Sequence, residues 1–409
     1  MVSLPEGLRV PVAARERRTW QPRETGYYSR RELDRQTGEY ESIIPIGLAA
    51  WLPTVGGALL SELDDATSAL IDFDTYADRR LGAGDATLGP MAAILLRSES
   101  ASSSQIENLT SSARQLALAE LGEASGANSR TVVGNVRAME AALAMAGRLD
   151  ASTILTMHEA LMRHQEGMAE HAGRWRDELV WIGPGGAGPL TADFVAPHHE
   201  RVPAAMEDLV RFVDRNDLPV LLHVAVAHAQ FETIHPFVDG NGRTGRALAQ
   251  AMLKAKGAVT RSTVPLSSGL LADIEGYFDA LTAYRAGDAE PIARRFAGAA
   301  LFAAATGIHL IDDLADALED AYSRLDGVRS DAAARRVLPL LVSQPVITSG
   351  YLVRTLGLND VAAKRAIDTL VRREVLVETS GRSRGRTWAQ PGVLAALDAY
   401  ARRVRRGRP

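Results

Sequence analysis

The 409-residue chain contains no cysteine, which excludes disulfide bonds, cysteine metal sites and thiol catalysis. It also lacks an excess of charge of either sign, and its formal net charge of −4 argues against a protein that coats nucleic acid along its length. The N-terminal stretch MVSLPEGLRVPVAARERRTW contains no apolar core of signal-peptide length. We therefore expect a cytoplasmic protein with about two or three domains.

Long hydrophobic runs are also missing. The longest extends from Phe296 to Ile311, is rich in alanine, contains His309 and stops at Asp312. Because such a run is too short to span a bilayer comfortably, it predicts a buried helix, and we expect no membrane association. With 46% hydrophobic residues, the chain has ample apolar material for real cores.

Helical patterns dominate what is present. Residues 1 to about 40 are arginine-rich and weakly periodic, and we expect an extended or loosely packed arm there. From residue 49 onward, apolar residues recur at helical spacing in stretches such as GALLSELDDATSALIDF. The β-formers Val180, Trp181 and Ile182, followed by a Gly/Pro cluster, interrupt this pattern and predict a small hairpin. The predicted fold class is therefore mainly α.

Beyond Asp331 the pattern becomes helix, short helix, turn, helix and two strands. The strands VLVETS and RTWAQ flank GRSRGR as the tip of a hairpin, and Asn359 or Asp360 begins the helix before them. This order predicts a winged helix-turn-helix over residues 331–409.

The basic residues of this segment do not identify its binding partner. The tail YARRVRRGRP, together with Arg382, Arg384 and Arg386 at the wing tip, suits a phosphate backbone, so DNA is a candidate partner. A helical tail with solvated arginines explains the same residues equally well, and winged helices also bind proteins.

The most distinctive stretch is HPFVDGNGRTGR, from His235 to Arg246. Its DG and NG dipeptides are common in hairpin turns, but the flanking patterns on both sides are helical. A calcium loop needs several spaced oxygen ligands and a terminal Glu, whereas only Asp239 supplies charge here. A Walker-type P-loop is excluded because the Gly-Lys-Ser/Thr element is missing and no strand leads in.

A glycine-rich loop that begins a helix remains. Backbone N–H groups around Gly240, Asn241 and Gly242 can point together into a nest for anionic oxygens. Arg243 and Arg246 lie three residues apart, on one face of the first helical turn. Two guanidinium groups beside an amide nest predict a polyphosphate site.

Two further groups of this stretch suit chemistry on a phosphate. Asp239 can hold Mg²⁺ between phosphate oxygens, as hard oxygen ligands do. His235 lies at the mouth of the loop, where a neutral imidazole can take a proton from an attacking hydroxyl. We expect Phe237 and Ile234 to be core residues that anchor the loop.

HPFVDGNGRTGR matches every defined position of the signature H-x-F-x-[D/E]-G-N-G-R-x-x-R, and the chain therefore resembles the Fic family. Members of this family are helical and mostly transfer AMP from ATP to hydroxyl side chains of proteins. GEYESIIP, at residues 38–45, is similar to the N-terminal segment of many Fic proteins. GRWRDELVWIG is similar to their flap, the hairpin that holds the backbone of the target. The resemblance covers roughly residues 35–325 and implies a helical Fic fold with a small β-hairpin flap.

By position, the resemblance implies that His235 is the general base and Asp239 the Mg²⁺ ligand. ATP is then the substrate, and the acceptor is a Ser, Thr or Tyr hydroxyl of a target protein or of the chain itself. Relatives often show an Asn-Arg pair and paired tyrosines after the signature, whereas this chain has ADIEGYFDAL. The sequence therefore does not identify the residues of the adenine pocket. The nucleotide-binding residues that the resemblance implies are Gly240, Asn241, Gly242, Arg243, Arg246 and Tyr277.

A second short stretch, SSQIEN from Ser103 to Asn108, matches the pattern [S/T]-x-x-x-E-[G/N] of the inhibitory helix in many Fic proteins. A lone glutamate on a helix is otherwise simply solvated, but this one precedes a complete catalytic signature. The resemblance implies that Glu107 pairs with Arg246, withdraws the clamp on the γ-phosphate and inhibits transfer.

Five histidines outside the signature are candidates of lower rank. His158, His223 and His228 lie in apolar helical segments and are predicted to be hydrogen-bonded core residues. His198 and His199 are neighbours in a loop without an acidic partner at metal-site spacing, which predicts a solvated loop.

The predicted organisation has three segments. They are an N-terminal arm and helical region over 1–100, a catalytic core with the inhibitory helix over 101–325, and a winged helix with a basic tail over 331–409. The leading function is an autoinhibited protein adenylyltransferase. Two alternatives stay open: a winged-helix transcription regulator that senses nucleotide, and a Fic-type transferase that uses a different phosphorylated donor.

Overall fold

The computed structural model is mainly helical. It describes residues 7–22, 27–80, 88–123, 126–163, 165–184, 186–380 and 385–407. Within those ranges the strands form three small antiparallel sheets. The wing-tip residues Arg382 and Arg384, and parts of the N-terminal arm, lie outside the described residues.

The helices are α1 (Arg30–Arg35), α2 (Gly57–Arg80), α3 (Leu88–Ile106), α4 (Ala113–Glu120), α5 (Ala127–Ala144), α6 (Ala151–Met162), α7 (Val202–Val213), α8 (Val220–Ile234), α9 (Asn241–Ala255), α10 (Leu266–Ala272), α11 (Ile274–Arg285), α12 (Glu290–Ser323), α13 (Ala333–Ser343), α14 (Ser349–Leu356), α15 (Asp360–Arg372) and α16 (Pro391–Arg406). The strands are β1 (Ala14–Trp20), β2 (Gly38–Ile44), β3 (Trp181–Ile182), β4 (Phe194–Val195), β5 (Val346–Ile347), β6 (Val377–Glu378) and β7 (Trp388–Ala389).

The chain divides into two compact units, each built from three separate segments. Unit 1 consists of Met1–Asp65, Ala141–Lys256 and Glu275–Ala297. Unit 2 consists of Ala66–Glu140, Gly257–Ile274 and Gly298–Pro409. These units do not coincide with the three segments that the sequence suggests, and those segments stay a prediction.

The N-terminal arm of unit 1 is a β ribbon rather than a loosely packed chain. β1 and β2 pair antiparallel along their whole length, with Ala14 opposite Ile44 at one end. Trp20 packs edge-on against Trp181 of β3, with 5.4 Å between the ring centroids. The indole N–H of Trp20 donates to the carbonyl of Ala187 at 3.0 Å. The arm therefore supports the segment that follows β3, a role that its weak periodicity did not indicate.

The predicted hairpin is confirmed by the pairing of β3 with β4, in which Ile182 lies opposite Phe194. Its tip is held by Gln36, which follows α1 and is buried. The amide N–H of Gln36 donates to Thr191 Oγ1 at 2.8 Å, and its Oε1 accepts from the N–H of Leu190 at 2.9 Å. We call the hairpin and its tip, residues 181–195, the flap.

The core of unit 1 is built around α8, in which residues 221–234 are all buried. α9 packs directly on α8. A Cβ at Gly245 of α9 would lie 2.9 Å from Cδ1 of Phe231, so the two helices approach too closely for a larger residue there. This contact fixes the relative positions of the two helices that flank the signature loop.

The C-terminal part of unit 2 contains the three helices and the two strands in the order that the sequence predicts, with an additional strand, β5, between α13 and α14. Asn359 caps α15, since its Oδ1 accepts from the N–H of Ala362 at 2.8 Å. β5, β7 and β6 form a three-stranded antiparallel sheet in that order. Leu341, Ile367 and Trp388 contribute to its hydrophobic core. The assignment of this segment as a winged helix stays a prediction.

This C-terminal part is not separate from the rest of unit 2. α13 packs on α3, and α16 packs on α10 and α4. Arg97 of α3 is buried, donates through Nε to Glu120 Oε1 at 2.9 Å, and also donates to the carbonyl of Ser343 at the end of α13. The helix that carries SSQIEN is thus bonded to the C-terminal helices.

The apolar run around residues 296–311 lies within α12, as predicted. Among the described residues, α12 alone is long and apolar enough to cross a membrane, with a mean hydropathy of 1.2 over its most apolar window. Of that window, 56% is buried inside the protein, and Phe296, Ala303 and Ile311 are fully buried. The core helix of a protein has these properties.

The three core histidines of unit 1 are hydrogen-bonded, which confirms the prediction. His223 Nε2 lies 2.8 Å from the carbonyl of Phe212, and His228 Nε2 lies 2.7 Å from the hydroxyl of Tyr277. The pKa is lowered to about 4 for His158 and His223 and to about 3 for His228, and burial is the main cause for all three. All three are therefore neutral at neutral pH.

We expect these histidines to make the protein less stable as the pH falls from about 6.5 toward 4. In the unfolded chain their pKa values return to 6.5, so below that pH the unfolded state binds more protons and is favoured. The loss stops growing once the pH lies below the folded-state values. Each histidine contributes at most ~1.4 kcal/mol per pH unit within this window.

Urea unfolding at several pH values between 7 and 5 measures this dependence. His223→Gln should flatten the dependence of the free energy of unfolding on pH, because one titrating group is removed. The matched control is His309→Gln, the same exchange at an exposed position of α12. Identical pH dependence in the His223 variant and the parent would contradict the assignment.

Candidate active site

The signature loop connects α8 to α9 and begins with a left-handed residue. His235 follows α8 with φ 50° and ψ 61°. Such a conformation costs ~1–2 kcal/mol for a residue with a side chain, so neighbouring groups must hold it. The N–H of His235 donates to the carbonyl of Phe231 at 2.9 Å, and its own carbonyl accepts from Arg176 Nε at 2.8 Å.

Arg176 ties this loop to the segment that leads into the flap. Besides its bond to His235, its guanidinium donates to the carbonyls of Glu178 and Pro197 at 2.7 and 2.6 Å. Its backbone N–H donates to the carbonyl of Pro236 at 2.9 Å. The side chain is buried, and burial lowers its pKa to about 10, which leaves it charged at neutral pH. Sequence reasoning missed Arg176, whose only signal is an arginine among turn and β-forming residues.

His158 of α6 also supports the loop. Its Nδ1 accepts from the N–H of Gly173 at 3.1 Å, so the ring proton lies on Nε2, which donates to the carbonyl of Asp239 at 3.1 Å. The imidazole stacks on Phe237, with 3.6 Å between centroids and 3° between planes. Phe237 and Ile234 are fully buried, which confirms them as core anchors.

The start of α9 has the geometry that an anion nest requires. Gly240 caps the helix with φ 76°, and a Cβ there would lie 2.9 Å from Cδ2 of Leu161, so only glycine fits. The Asn241 side chain closes the loop, since its Oδ1 accepts from the N–H of Phe237 at 2.8 Å and its Nδ2 donates to the carbonyl of the same residue at 2.9 Å. The first turn of α9, including Gly242, then presents N–H groups that have no intrahelical acceptors and favour anions.

Asp239 lies directly before this turn, with its side chain 39% exposed. Its Oδ1 accepts from the N–H of Gly240 at 2.6 Å, and its Oδ2 accepts from Gln165 Nε2 at 2.7 Å. A partly exposed carboxylate beside an anion nest fits Mg²⁺, which proteins commonly bind through one or two carboxylates together with phosphate oxygens. Sequence reasoning missed Gln165, because nothing in its spacing links it to the signature.

The two arginines of the signature are buried on α9, with Arg243 1% and Arg246 3% exposed. Arg243 Nη2 lies 3.4 Å from Asp239 Oδ1, so the nearest carboxylate partly balances its charge. The charge of Arg246 contributes, after burial, to the lowered pKa of His228. Tyr277, fully buried, holds the same histidine through its hydroxyl, and its contact with a nucleotide stays a prediction.

The electrostatic surroundings keep His235 in the form that accepts a proton. Burial, together with the positive charges of Arg176 and Arg285, lowers its pKa to about 3. Glu232 Oε2 lies 3.9 Å from Nδ1, and the ring of Phe194 in the flap lies 6.1 Å from the imidazole, centroid to centroid. Arg285 and Glu232 were not predicted from the sequence.

The SSQIEN stretch forms the end of α3 in unit 2. Ser103 is fully buried, and Glu107 lies in the turn that follows the helix. Asn108 adopts a left-handed conformation with φ 62°, as Gly or Asn commonly does after the last turn of a helix. Asn108, which occupies the Gly-or-Asn position of the pattern, is therefore the left-handed residue that follows the end of the helix. The pairing of Glu107 with Arg246, a residue of unit 1, stays a prediction.

The adjacent histidines His198 and His199 do have an acidic neighbour, so the expectation that they lack one is wrong. His198 Nδ1 lies 3.1 Å from Glu200 Oε2, and the potential ligand atoms of the three residues lie within 4.8 Å of one another. Arg18 Nη2 lies 3.6 Å from the same oxygen of Glu200. Because a cation already faces this carboxylate, the cluster forms an ion pair that joins the β ribbon to the loop after the flap.

The signature loop lies in the part of the chain that is similar to known proteins. The Fic/DOC family model matches residues 148–253, which include the signature loop. Protein adenylyltransferase Fic from Nematostella vectensis is 30% identical over 145 residues, which are 34% of this chain and 30% of that protein. The protein of the same name from Drosophila mojavensis is 31% identical over 107 residues, 25% of this chain and 19% of that protein. The chain thus spans less than a third of the length of these curated relatives.

The fold comparison extends further along the chain. A Fic family protein from Desulfovibrio desulfuricans G20 superposes with a TM-score of 0.50 at 24% identity. The superposition covers 83% of this chain and 97% of that protein. This likeness shows the fold alone, and the predicted helical Fic fold is confirmed.

We expect Arg176→Gln to raise the pKa of His235 from its value near 3, because a positive charge beside the imidazole is removed. Burial remains, so the pKa stays below that of an exposed histidine. Arg176→Lys keeps the charge and should change the pKa less, although it loses the hydrogen bonds to the loop carbonyls.

NMR titration of the His235 Hε1 resonance measures this pKa, and the spectrum of His235→Gln assigns the resonance. Circular dichroism establishes that both variants fold. An unchanged His235 pKa in a folded Arg176→Gln protein would show that the guanidinium does not act on the imidazole.

Proposed function

We propose that this chain, in which residues 148–253 form a Fic domain, is a protein adenylyltransferase. It would transfer AMP from ATP to a Ser, Thr or Tyr hydroxyl of a target protein or of the chain itself, in the cytoplasm. The observation that carries the proposal is the loop at residues 235–246, where a neutral imidazole precedes a helix N-terminus that bears two buried arginines.

The reaction needs one base and no covalent enzyme intermediate. His235 takes the proton of the acceptor hydroxyl while the hydroxyl oxygen forms a bond to the α-phosphorus of ATP. The bond from the α-phosphorus to the bridging oxygen breaks, and pyrophosphate leaves with the electron pair. Catalysis then comes from positioning the reactants and from neutralising charge on the phosphates.

The start of α9 would hold the nucleotide. The N–H groups at Gly240, Asn241 and Gly242 would bind the α- and β-phosphates, Arg243 would bind phosphate beside them, and Arg246 would hold the γ-phosphate. Asp239 would hold Mg²⁺, which supplies charge neutralisation between phosphate oxygens.

Regulation would come from the end of α3. Ser103 and Glu107 belong to a stretch that matches the inhibitory pattern, and Glu107 would pair with Arg246 and withdraw it from the γ-phosphate. Residues 101–325 would then contain both the catalytic and the inhibitory elements, after an N-terminal region over 1–100. Residues 331–409 would be a winged helix with a basic tail, for which DNA is a candidate partner.

Two other functions use the same site differently. A winged-helix regulator that senses nucleotide would bind ATP without transferring any part of it, and the retained His235 disfavours it, since a sensor needs no base. A Fic-type transferase with a different phosphorylated donor is disfavoured by two arginines that suit a triphosphate. ATP labelled on the α- or the γ-phosphate separates these functions, because only adenylyl transfer moves the α label to protein.

We expect His235→Ala to lower transfer of the α label by about 10²–10⁴-fold, the usual effect of removing a general base. Binding of ATP with Mg²⁺ should stay nearly unchanged, because the imidazole acts on the acceptor hydroxyl rather than on the phosphates. His309→Ala, at an exposed position of α12, is the control. Transfer at the parent rate by the His235 variant would falsify the mechanism, and transfer of the γ label would replace adenylyl transfer by another reaction.

We expect Glu107→Gly to raise incorporation of the α label by more than about tenfold, because the competent arrangement of Arg246 is a minor population of the resting protein. A tenfold gain corresponds to ~1.4 kcal/mol of released bias. Arg246→Ala should instead lower incorporation, although it breaks the same pair, because the arginine also serves the productive state.

The control for this pair of variants is Glu123→Gly, since Glu123 is an exposed carboxylate in the loop after α4. It should leave incorporation unchanged. If Glu107→Gly and Arg246→Ala both fold and both lose activity, Glu107 has a structural role and the inhibitory assignment fails, while the transferase assignment stands.

A further inference from the structure

Arg285, the last residue of α11, lies in unit 1 against the flap. Its Cζ is 3.9 Å from the centroid of the Phe194 ring in β4. The same ring is 6.1 Å from the imidazole of His235. The positive charge of Arg285 is also one of the causes that lower the pKa of His235, after burial and Arg176. The guanidinium is therefore within electrostatic reach of the general base.

The Nε atom of Arg285 has no hydrogen-bond acceptor within the part of the chain that the structure describes. This atom is buried, although the side chain as a whole is only partly buried. Burial lowers the pKa of Arg285, and the charge of Glu232 acts in the opposite direction. The guanidinium of Arg176 in the same site differs, because it donates to the carbonyls of Glu178, Pro197 and His235. Buried polar atoms without a hydrogen-bond partner are rare in folded proteins unless a ligand or water provides one.

Arg285 also lines a groove of about 550 Å³ along the flap. Asp193, Phe194 and Val195 of the flap form part of its wall, and Tyr40 of the β ribbon forms another part. A guanidinium that stacks on an aromatic face keeps its N–H groups free at the edge, where they can bind two oxygens at once.

We propose that Arg285 binds an oxyanion of a substrate where this groove meets the Phe194 ring, and that it thereby selects the substrates that reach His235. The inference rests on the proposed transfer reaction. The oxyanion comes either from a phosphate of the nucleotide or from a carboxylate of the acceptor protein near the modified hydroxyl. A carboxylate and a phosphate each offer the guanidinium a pair of anionic oxygens. The two sources differ in whether binding of the nucleotide or binding of the acceptor depends on Arg285.

The variants are Arg285→Gln, which removes the charge, and Arg285→Lys, which keeps it without the planar fork. Arg17→Gln is the matched control, because Arg17 lies on β1, pairs with Glu41 at 2.9 Å and is largely exposed. Circular dichroism and thermal unfolding establish folding. If Arg285→Gln fails to fold, Arg285→Lys supplies the comparison.

Isothermal titration with ATP and Mg²⁺, and separately with pyrophosphate, tests the nucleotide as the source. If a phosphate is bound, the Kd rises at least about tenfold in Arg285→Gln, rises less in Arg285→Lys and stays at the parent value in Arg17→Gln. Titration needs no turnover, so it reports on Arg285 even if the parent protein transfers no α label, an outcome that would reject the proposed reaction alone.

Peptides that carry one Tyr, Ser or Thr test the acceptor as the source, with Glu or Gln placed at each neighbouring position in turn. Binding of each peptide is measured by titration, and α-label transfer to it gives kcat/KM. If a carboxylate is bound, the parent prefers the Glu peptides and Arg285→Gln loses that preference by at least about tenfold, while ATP binding is unchanged. A folded Arg285→Gln protein that matches the parent for ATP, pyrophosphate and both peptide sets would overturn the proposal.

Discussion

The site depends on the left-handed backbone of His235, which turns the chain from the end of α8 into the start of α9. Such a residue keeps its conformation only where surrounding groups fix it. Arg176 holds its carbonyl, the Asn241 amide binds both backbone groups of Phe237, and His158 stacks on the Phe237 ring. Because the loop between the two helices is short, the bonds that fix the base also fix its distance from the anion nest.

The same cations that suit an anionic substrate keep the base able to accept a proton. Burial and the charges of Arg176 and Arg285 lower the pKa of His235, so the imidazole is neutral well below neutral pH. Arg243 is partly balanced by Asp239, a carboxylate that is exposed enough to take a metal ion. In the proposed reaction the site would separate two tasks: guanidinium groups and helix N–H groups would attract negative charge, and the imidazole of His235 would remove a proton.

The sequence predicted the residues that are close in the chain and missed those that are close only in space. His235 and Asp239 belong to one contiguous stretch, so local spacing was sufficient to assemble them, as it was for the Asn359 cap. Arg176 and Gln165 reach the loop from other segments, and no periodicity marks a side chain whose partners are backbone carbonyls or distant amides. The β ribbon was missed for a related reason, since each of its strands is polar and weakly periodic until it pairs with the other.

In unit 2 the inhibitory pattern belongs to a helix that other elements hold at several points. α3 ends where Asn108 turns left-handed, and this fixes where Glu107 emerges from the last turn. Farther back on α3, Arg97 bonds to Glu120 of α4 and to the carbonyl of Ser343 in α13. These bonds are partly buried, so a shift of α13 relative to α3 would leave a charged or polar group unpaired. Within unit 2, the helix that carries the predicted inhibitory stretch is therefore packed against the predicted winged segment.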